Sequence, residues 1–349
     1  MNIFIFFVLE MLIHKQNTSL KSYNTFGIDA NAKHFIKASS ALEVVDYINK
    51  TTELQHLPRM IIGEGSNLLF TSDFDGLIIK LESSKMSITE FDGSSEVLLT
   101  ATAGVEWDSL VDFACRNSLY GLENLSFIPG TVGASAVQNV GAYGVEAADL
   151  ISQVRGYDFA EQRWFAMSAD RCEFAYRDSI FKHYDRGRIL ISELDFILSA
   201  RPRFNLDYED IKERAEAMGE YSATDIRNII IEIRKSKLPD HKKLGSAGSF
   251  FKNPTISKEH FEKIKNQYPD LRGYELSNST IKIHAAWLID KVRLRGKQVG
   301  GAQVYDKQPL VIINKGNATS SDICNLAQLI QNKVKKEFCI ELHPEVLYI

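Results

Sequence analysis

Three short stretches hold residues able to do proton and charge chemistry. In "KLGSAGSFFKNP" (243 to 254), Ser249 stands between a glycine and two phenylalanines; "FAYRDSIFKH" (174 to 183) holds Arg177; "ELHPEVLYI" (341 to 349) holds Glu345. A hydroxyl beside apolar walls is a nucleophile, an acid or a turn residue. No G-x-S-x-G elbow surrounds Ser249, which argues against a hydrolase serine. Taken singly, Arg177 beside Asp178 reads as a surface or structural ion pair, Glu345 as a solvated carboxylate, and Ser249 as a turn residue.

Two glycine-rich stretches supply ligand-binding backbone. "IIGEGSNLLF" (61 to 70) runs from a strand into Gly63, Glu64, Gly65, Ser66 and Asn67, then into an apolar run. Successive amides in such a turn make a small anion cradle, and the alternative is an ordinary β-turn. Neither a Rossmann G-x-G-x-x-G opening a helix nor a Walker Gly-Lys-Ser/Thr is present. "GLENLSFIPGTVGASAVQNVGAYGVE" (121 to 146) carries Gly121, Gly130, Gly133, Gly141 and Gly144. Such a stretch lets backbone approach a flat ligand closely. Ile128, Val132, Val137 and Val140 make it too apolar for a flexible linker.

The elements that must hold these stretches follow from pattern. Ser40 caps a helical stripe in "SALEVVDYINKT", and "RMIIG" reads as a strand ending in a glycine turn. Trp107, Leu110, Val111 and Ala114 share one helix face. Leu194, Phe196 and Leu198 share one strand face. Helices are expected near 223 to 236 and 320 to 337, a strand at 309 to 314, and a domain boundary near 203, in the polar stretch "ARPRFNLDYED".

With 349 residues and 44% apolar content the chain suits two or three compact units. A formal charge of -4 and a pI near 6.1 give no basic field for nucleic acid or an anionic membrane, so small molecules are the expected partners. Cys115, Cys172, Cys324 and Cys339 show no zinc or CxxC spacing and read as reduced, mostly buried thiols of a cytosolic protein. No metal is expected. The apolar "IFIFFVL" (3 to 9) is too short to span a bilayer and lacks a basic flank. It reads as an extension, or as a start placed ahead of a natural Met11.

Together, "SYNTFGID", "GEGSNLLF", the long glycine stretch, "YRDSIFK", "RKSKLPD", "GSAGSFFKNP", "AAWLID", "VGGAQV" and "HPEV" resemble, in order, the UDP-N-acetylenolpyruvoylglucosamine reductase family. The tyrosine of "LDYED" places the chain with the longer form. The resemblance implies an α+β chain: an FAD-binding module of the vanillyl-alcohol-oxidase / p-cresol methylhydroxylase type, with two α+β subdomains (21 to 203), a substrate-binding α+β domain (204 to 340) and a tail (341 to 349) contributing to the active site. Residues 1 to 20 would be an extension.

It further implies non-covalent FAD held by Gly63, Glu64, Gly65, Ser66, Asn67, Ile128, Pro129, Gly130, Gly133, Ala134, Gln138, Asn139, Gly141, Ala142, Tyr143 and Gly144. NADPH would be the co-substrate, and hydride would pass through the flavin to an enolpyruvyl group on a UDP-sugar. Arg177 would bind the carboxylate or developing enolate, Ser249 would protonate the adjacent carbon, and Glu345 would assist. Tyr208, Lys237, Asn253 and Gln308 would grip the UDP diphosphate and sugar. Phe250 and Phe251 would serve as walls against water. Leu347 departs from relatives that carry an arginine there. A cytoplasmic monomer in peptidoglycan synthesis is the expectation; an oxygen-using FAD oxidase and a UDP-sugar sensor are the competing functions.

Overall fold

A computed structural model of the chain describes residues 12–240 and 243–349. The "IFIFFVL" stretch and Met11 lie outside the described residues. Helices and strands are mixed, with parallel pairing among Asn31–Ala38, Phe74–Leu81 and Arg59–Ile62 and between Leu347–Tyr348 and Leu68–Leu69, and antiparallel pairing in the remaining sheets, an α+β architecture.

The chain packs as two compact units. Of the described residues, one comprises 12–18, 32–64 and 74–233; the other comprises 19–31, 65–73, 234–240 and 243–349. Residues 204–233 therefore pack with the first unit, because Ile211, Ile226 and Ile230 bury their side chains with Tyr143, Phe204 and Leu206. This packing division differs from a linear cut near residue 203.

In the first unit, strand Phe74–Leu81 pairs in parallel with Asn31–Ala38 and with Arg59–Ile62. Helix Ala41–Lys50 makes the crossover, and the Ser40 hydroxyl accepts the Leu42 N–H at its start. A five-stranded antiparallel sheet follows, ordered Arg163–Ser168, Ile151–Asp158, Ile189–Ser199, Glu96–Thr102, Met86–Glu90. Leu194, Phe196 and Leu198 turn one face of it inward. Against that core lies helix Trp107–Arg116, whose Trp107, Leu110, Val111 and Ala114 are all buried, as their spacing requires.

The second unit holds an antiparallel sheet ordered Gly245–Ser249, Val311–Asn314, Ala302–Val304, Gln298–Val299, and a three-stranded sheet ordered Thr255–Ser257, Thr280–Ile283, Gly273–Ser277. Helix Ser320–Phe338 buries Ile323, Leu326, Ile330 and Val334 against its core. Its Thr319 and Asp322 form a reciprocal cap. Cys115 and Cys172 are buried and unpaired; burial pushes the Cys115 thiol up to about 12. Among the described residues no helix is long and apolar enough to cross a membrane.

Candidate active site

In the first unit the two glycine stretches meet. Strand Arg59–Ile62 ends at Gly63, where an added Cβ would lie 2.6 Å from the Thr131 hydroxyl and 3.4 Å from the Ala134 Cβ. The Glu64 carboxylate accepts the Gly130 N–H at 3.0 Å. Beneath the turn, the mostly buried Lys80 ammonium donates to the Gly63 carbonyl at 3.2 Å. The long stretch holds more regular structure than its composition suggests: helix Val132–Gln138, then a hairpin of Gly141–Ala142 with Val145–Glu146. Small residues permit this, since a Cβ on Gly133 would stand 2.8 Å from the Ala103 Cβ.

These residues fit a flavin dinucleotide. The cradle around Gly63 is one a Cβ would fill, and Ile128, Pro129, Ala134, Gln138, Gly141 and Ala142 are only partly buried. Buried Asn124 Oδ1 has no protein partner, while its Nδ2 donates to the carbonyls of Tyr143 and Asn205. Donor amides, small side chains and a lysine under the turn suit a pyrophosphate-bearing ligand.

Arg177 belongs to the same unit, at positive φ (+54°) in a turn closed by reciprocal bonds between Ala175 and Asp178. Its Nη2 donates to the Gly141 carbonyl at 2.6 Å and its Nη1 to that of Asn139 at 3.3 Å. Asp178 instead accepts from the Ser179 N–H and contacts His183. Tyr208 starts helix Glu209–Glu216 and meets the Tyr143 ring edge-on, centroids 5.4 Å apart. Asn205 donates to the Gly144 carbonyl. One hairpin thus borders both Arg177 and the tyrosine segment.

The second unit brings Ser249 and Glu345 together. Ser249 ends strand Gly245–Ser249 rather than sitting in a turn; a bulge between Ser246 and Ser249, with Gly248 at φ +68°, reorients it opposite Val311. It is exposed, and its hydroxyl has no hydrogen-bond partner among the described residues. Phe250 and Phe251 are not walls of an open pocket: both are buried in this unit's core, where Phe250 packs against Phe26 and Tyr348. The Glu345 N–H donates to the Phe250 carbonyl, and the Asn67 amide donates to the Glu345 carbonyl at 3.2 Å. Leu347 pairs in parallel with Leu68.

Of the other expected contacts, Asn253 Oδ1 accepts the Ala285 N–H at the start of helix Ala285–Lys291. The Gln308 carbonyl accepts the Val311 N–H, and exposed Lys237 ends helix Ala223–Lys237. Gly65, Ser66 and Asn67 pack with the second unit and Gly63 and Glu64 with the first, so the five residues of the turn divide between two packing groups.

Sequence reasoning passed over several polar residues that hold these segments. Asp108 accepts both the Phe127 N–H and the Arg227 guanidinium. Asn24 is buried and bonds the carbonyls of Leu20 and Ile28. Thr25 donates to the Ser246 carbonyl at 2.6 Å. Their only sequence signal is a polar residue inside or beside an apolar run.

Comparison with known proteins agrees with this layout. Residues 239–349 match the family described as UDP-N-acetylenolpyruvoylglucosamine reductase, C-terminal domain, and residues 32–162 match the FAD binding domain family. The UDP-N-acetylenolpyruvoylglucosamine reductase of Bacteroides fragilis is 40% identical over 335 residues, covering 96% of this chain and 100% of its own. That of Neisseria gonorrhoeae is 42% identical, covering 95% and 96%. The crystal structure of the Thermus caldophilus enzyme shares the fold with a TM-score of 0.66 at 22% identity, over 97% of this chain and 99% of that one. Residues 32–162 accordingly form an FAD binding domain within an α+β fold. From the first parallel strand to the C-terminal tail, then, the chain belongs to the UDP-N-acetylenolpyruvoylglucosamine reductase family.

Proposed function

We propose that the chain is an FAD-dependent, NADPH-using oxidoreductase that reduces the enolpyruvyl group of UDP-N-acetylglucosamine-enolpyruvate to lactyl, giving UDP-N-acetylmuramate for peptidoglycan. FAD, when bound, supplies the hydride it has taken from NADPH. Residues 21 to 203 form the cofactor module in this assignment, 204 to 340 the substrate domain, and 341 to 349 the tail, with residues 204 to 233 packed on the cofactor side. The enzyme works as a cytoplasmic monomer.

Hydride addition to the terminal carbon of the enolpyruvyl group leaves a carbanion, with enolate character, next to the carboxylate. Arg177 binds that carboxylate with its planar fork, held by the carbonyls of Asn139 and Gly141. Ser249 gives its proton to the carbanion and is reprotonated from solvent. Glu345 assists the enol from the adjoining segment. A hydroxyl is a competent acid only toward a strongly basic carbon shielded from water. Because Ser249 is exposed, bound substrate must provide that shielding. Tyr208, Lys237, Asn253 and Gln308 take the diphosphate and sugar.

The observation that carries this assignment is the pairing of the tail with the Ser249 strand, which sets a carboxylate residue beside an uncommitted hydroxyl. Anaerobic NADPH should bleach the yellow enzyme, and the enolpyruvyl substrate should restore its colour. In Ser249→Ala the bleaching should persist while recolouring slows by about 10²–10⁴-fold. Recolouring at the parental rate removes Ser249 as the acid; recolouring by oxygen alone indicates an oxidase, and a colourless protein that binds UDP-sugar indicates a sensor.

A further inference from the structure

We propose that Asn139 and Glu146 form a bracket that sets the orientation of the Arg177 guanidinium, making Asn139 a positioning residue for the arginine that receives the substrate carboxylate. The proposal rests on the function assigned above for its catalytic consequence, but not for its geometry.

Asn139 is 1% exposed and leaves helix Val132–Gln138 in the left-handed region, at φ 44° and ψ 66°. Asparagine tolerates that conformation better than most residues. Its side chain faces protein on every polar atom. Nδ2 donates to Glu146 Oε2 at 2.8 Å and to the Ala175 carbonyl at 3.0 Å, while Oδ1 accepts the Ala148 N–H at 3.0 Å. Ala175 opens the turn that carries Arg177, and Glu146 lies in the hairpin strand opposite Gly141.

One residue therefore controls both ends of the Arg177 contact. The Asn139 main-chain carbonyl accepts from Nη1, and the Asn139 amide fixes the turn from which that side chain leaves. Glu146 in turn holds the amide and keeps Gly141, the second acceptor, in register. Ser179 adds a further tie by donating to the Val137 carbonyl at 2.8 Å. Two carbonyl acceptors, one on each terminal nitrogen, fix the direction of the guanidinium plane. Asn139 touches no reacting atom in this scheme: the polar atoms of its side chain, expected from the sequence to contact FAD, are bonded instead to Glu146, Ala175 and Ala148, and act through Arg177.

The test uses the FAD-loaded enzyme in three variants. Asn139→Ala removes the amide, Glu146→Leu removes its acceptor, and Glu146→Gln keeps an acceptor oxygen. Anaerobic reduction by NADPH and reoxidation by UDP-N-acetylglucosamine-enolpyruvate are timed separately, and the Arg177 side-chain signals are followed by nitrogen-15 NMR, assigned through Arg177→Lys. The bracket predicts that Asn139→Ala and Glu146→Leu slow reoxidation by about 10- to 100-fold, as expected when a binding group is misplaced by about an ångström. In Glu146→Leu, which alters no residue expected to hold FAD, reduction by NADPH and flavin content should stay near the parent's. Resolved Arg177 Nη signals in the parent should merge through freer rotation in these two variants, and Glu146→Gln should recover most of both properties relative to Glu146→Leu.

Equal slowing of both half-reactions or loss of flavin in step with activity in Glu146→Leu, or unchanged Arg177 signals in either variant, would overturn the bracket. Should Asn139→Ala fail to fold, Glu146→Leu against Glu146→Gln decides the same question. A parent enzyme that the substrate cannot reoxidise would refute the assigned function, while the NMR comparison would still decide the bracket.

Discussion

The main-chain N–H of Glu345 donates to the carbonyl of Phe250 at 2.8 Å, and Phe250 directly follows Ser249. The Lys252 N–H donates to the His343 carbonyl, and Phe251 bridges Pro344, so the "HPEV" segment runs antiparallel beside "GSFFKN". Phe250 and Phe251 anchor that contact by being buried beneath it. The two phenylalanines thus act on Ser249 from the core side, by fixing its backbone.

Arg177→Lys tests the geometry of the proposed carboxylate-binding group. A lysine ammonium keeps the charge but cannot bond the carbonyls of Asn139 and Gly141 while presenting a fork to a carboxylate. Reoxidation by substrate should slow by about tenfold or more, corresponding to roughly 1.4 kcal/mol in the barrier, with NADPH reduction little changed. Stopped-flow absorbance of the flavin reads both steps; equal rates for variant and parent in the second step would contradict the role.

Arg227→Ala should be the most damaging single change outside the site. Arg227 is 7% exposed and donates to Asp108 at 2.6 and 2.9 Å and to Asp112 at 3.2 Å. Removing one partner of a buried ion pair strands the other, at a cost of about 3–5 kcal/mol. The lower end is expected, because Asp112 also pairs with Arg116. Urea unfolding measures the loss, and a change under 1 kcal/mol would show that Asp108 and Asp112 are satisfied without Arg227. Since Asp108 also holds the Phe127 N–H, flavin retention should fall as well.

Glu123 gives a pH signature. Burial pushes its carboxyl above the ordinary value of 4.5, against the lowering effect of its backbone hydrogen bonds, which include the Gly121 N–H. The folded protein then holds this proton more tightly than the unfolded chain. The group costs stability as pH rises through the unfolded pKa, and the full cost persists above the folded one. Glu123→Gln, whose Oε1 can still accept from Gly121, should match the parent in acid and exceed it near neutrality. A melting-temperature difference independent of pH would contradict this.

Gly65→Ala combines two penalties, and Gly93→Ala isolates one of them. Gly65 has φ +63°, and a Cβ there would lie 2.2 Å from the Tyr23 carbonyl oxygen and 2.7 Å from Asn24 Cα. Gly93 has φ +72° with nothing within 4 Å. The left-handed conformation alone costs about 1–2 kcal/mol, so Gly93→Ala should lose that much and Gly65→Ala clearly more. Equal losses by denaturant unfolding would mean that the backbone around Asn24 yields freely.

By itself the sequence determined what depends on neighbours along the chain. Ser40 marked a helix start, and spacing gave the buried face of Trp107, Leu110, Val111 and Ala114, the inward face of Leu194, Phe196 and Leu198, and the helices at 223 and 320, because periodicity and burial are local consequences of the same geometry. Motif order identified the family and named Arg177, Ser249 and Glu345. Tertiary structure alone decided which distant segments meet. Ser249 became a strand residue because Val311–Asn314 supplied a partner; Phe250 and Phe251 became core because Phe26 and Tyr348 covered them; and the turn at Gly63–Asn67 was divided between two packing units. Asn139 shows the difference most directly. The family resemblance offered it as an FAD contact in a glycine-rich stretch, whereas its bonds to Glu146, Ala148 and Ala175 exist only once three separate segments are folded together, since a hydrogen bond requires its partners at about 3 Å and sequence spacing sets no such distance across a fold.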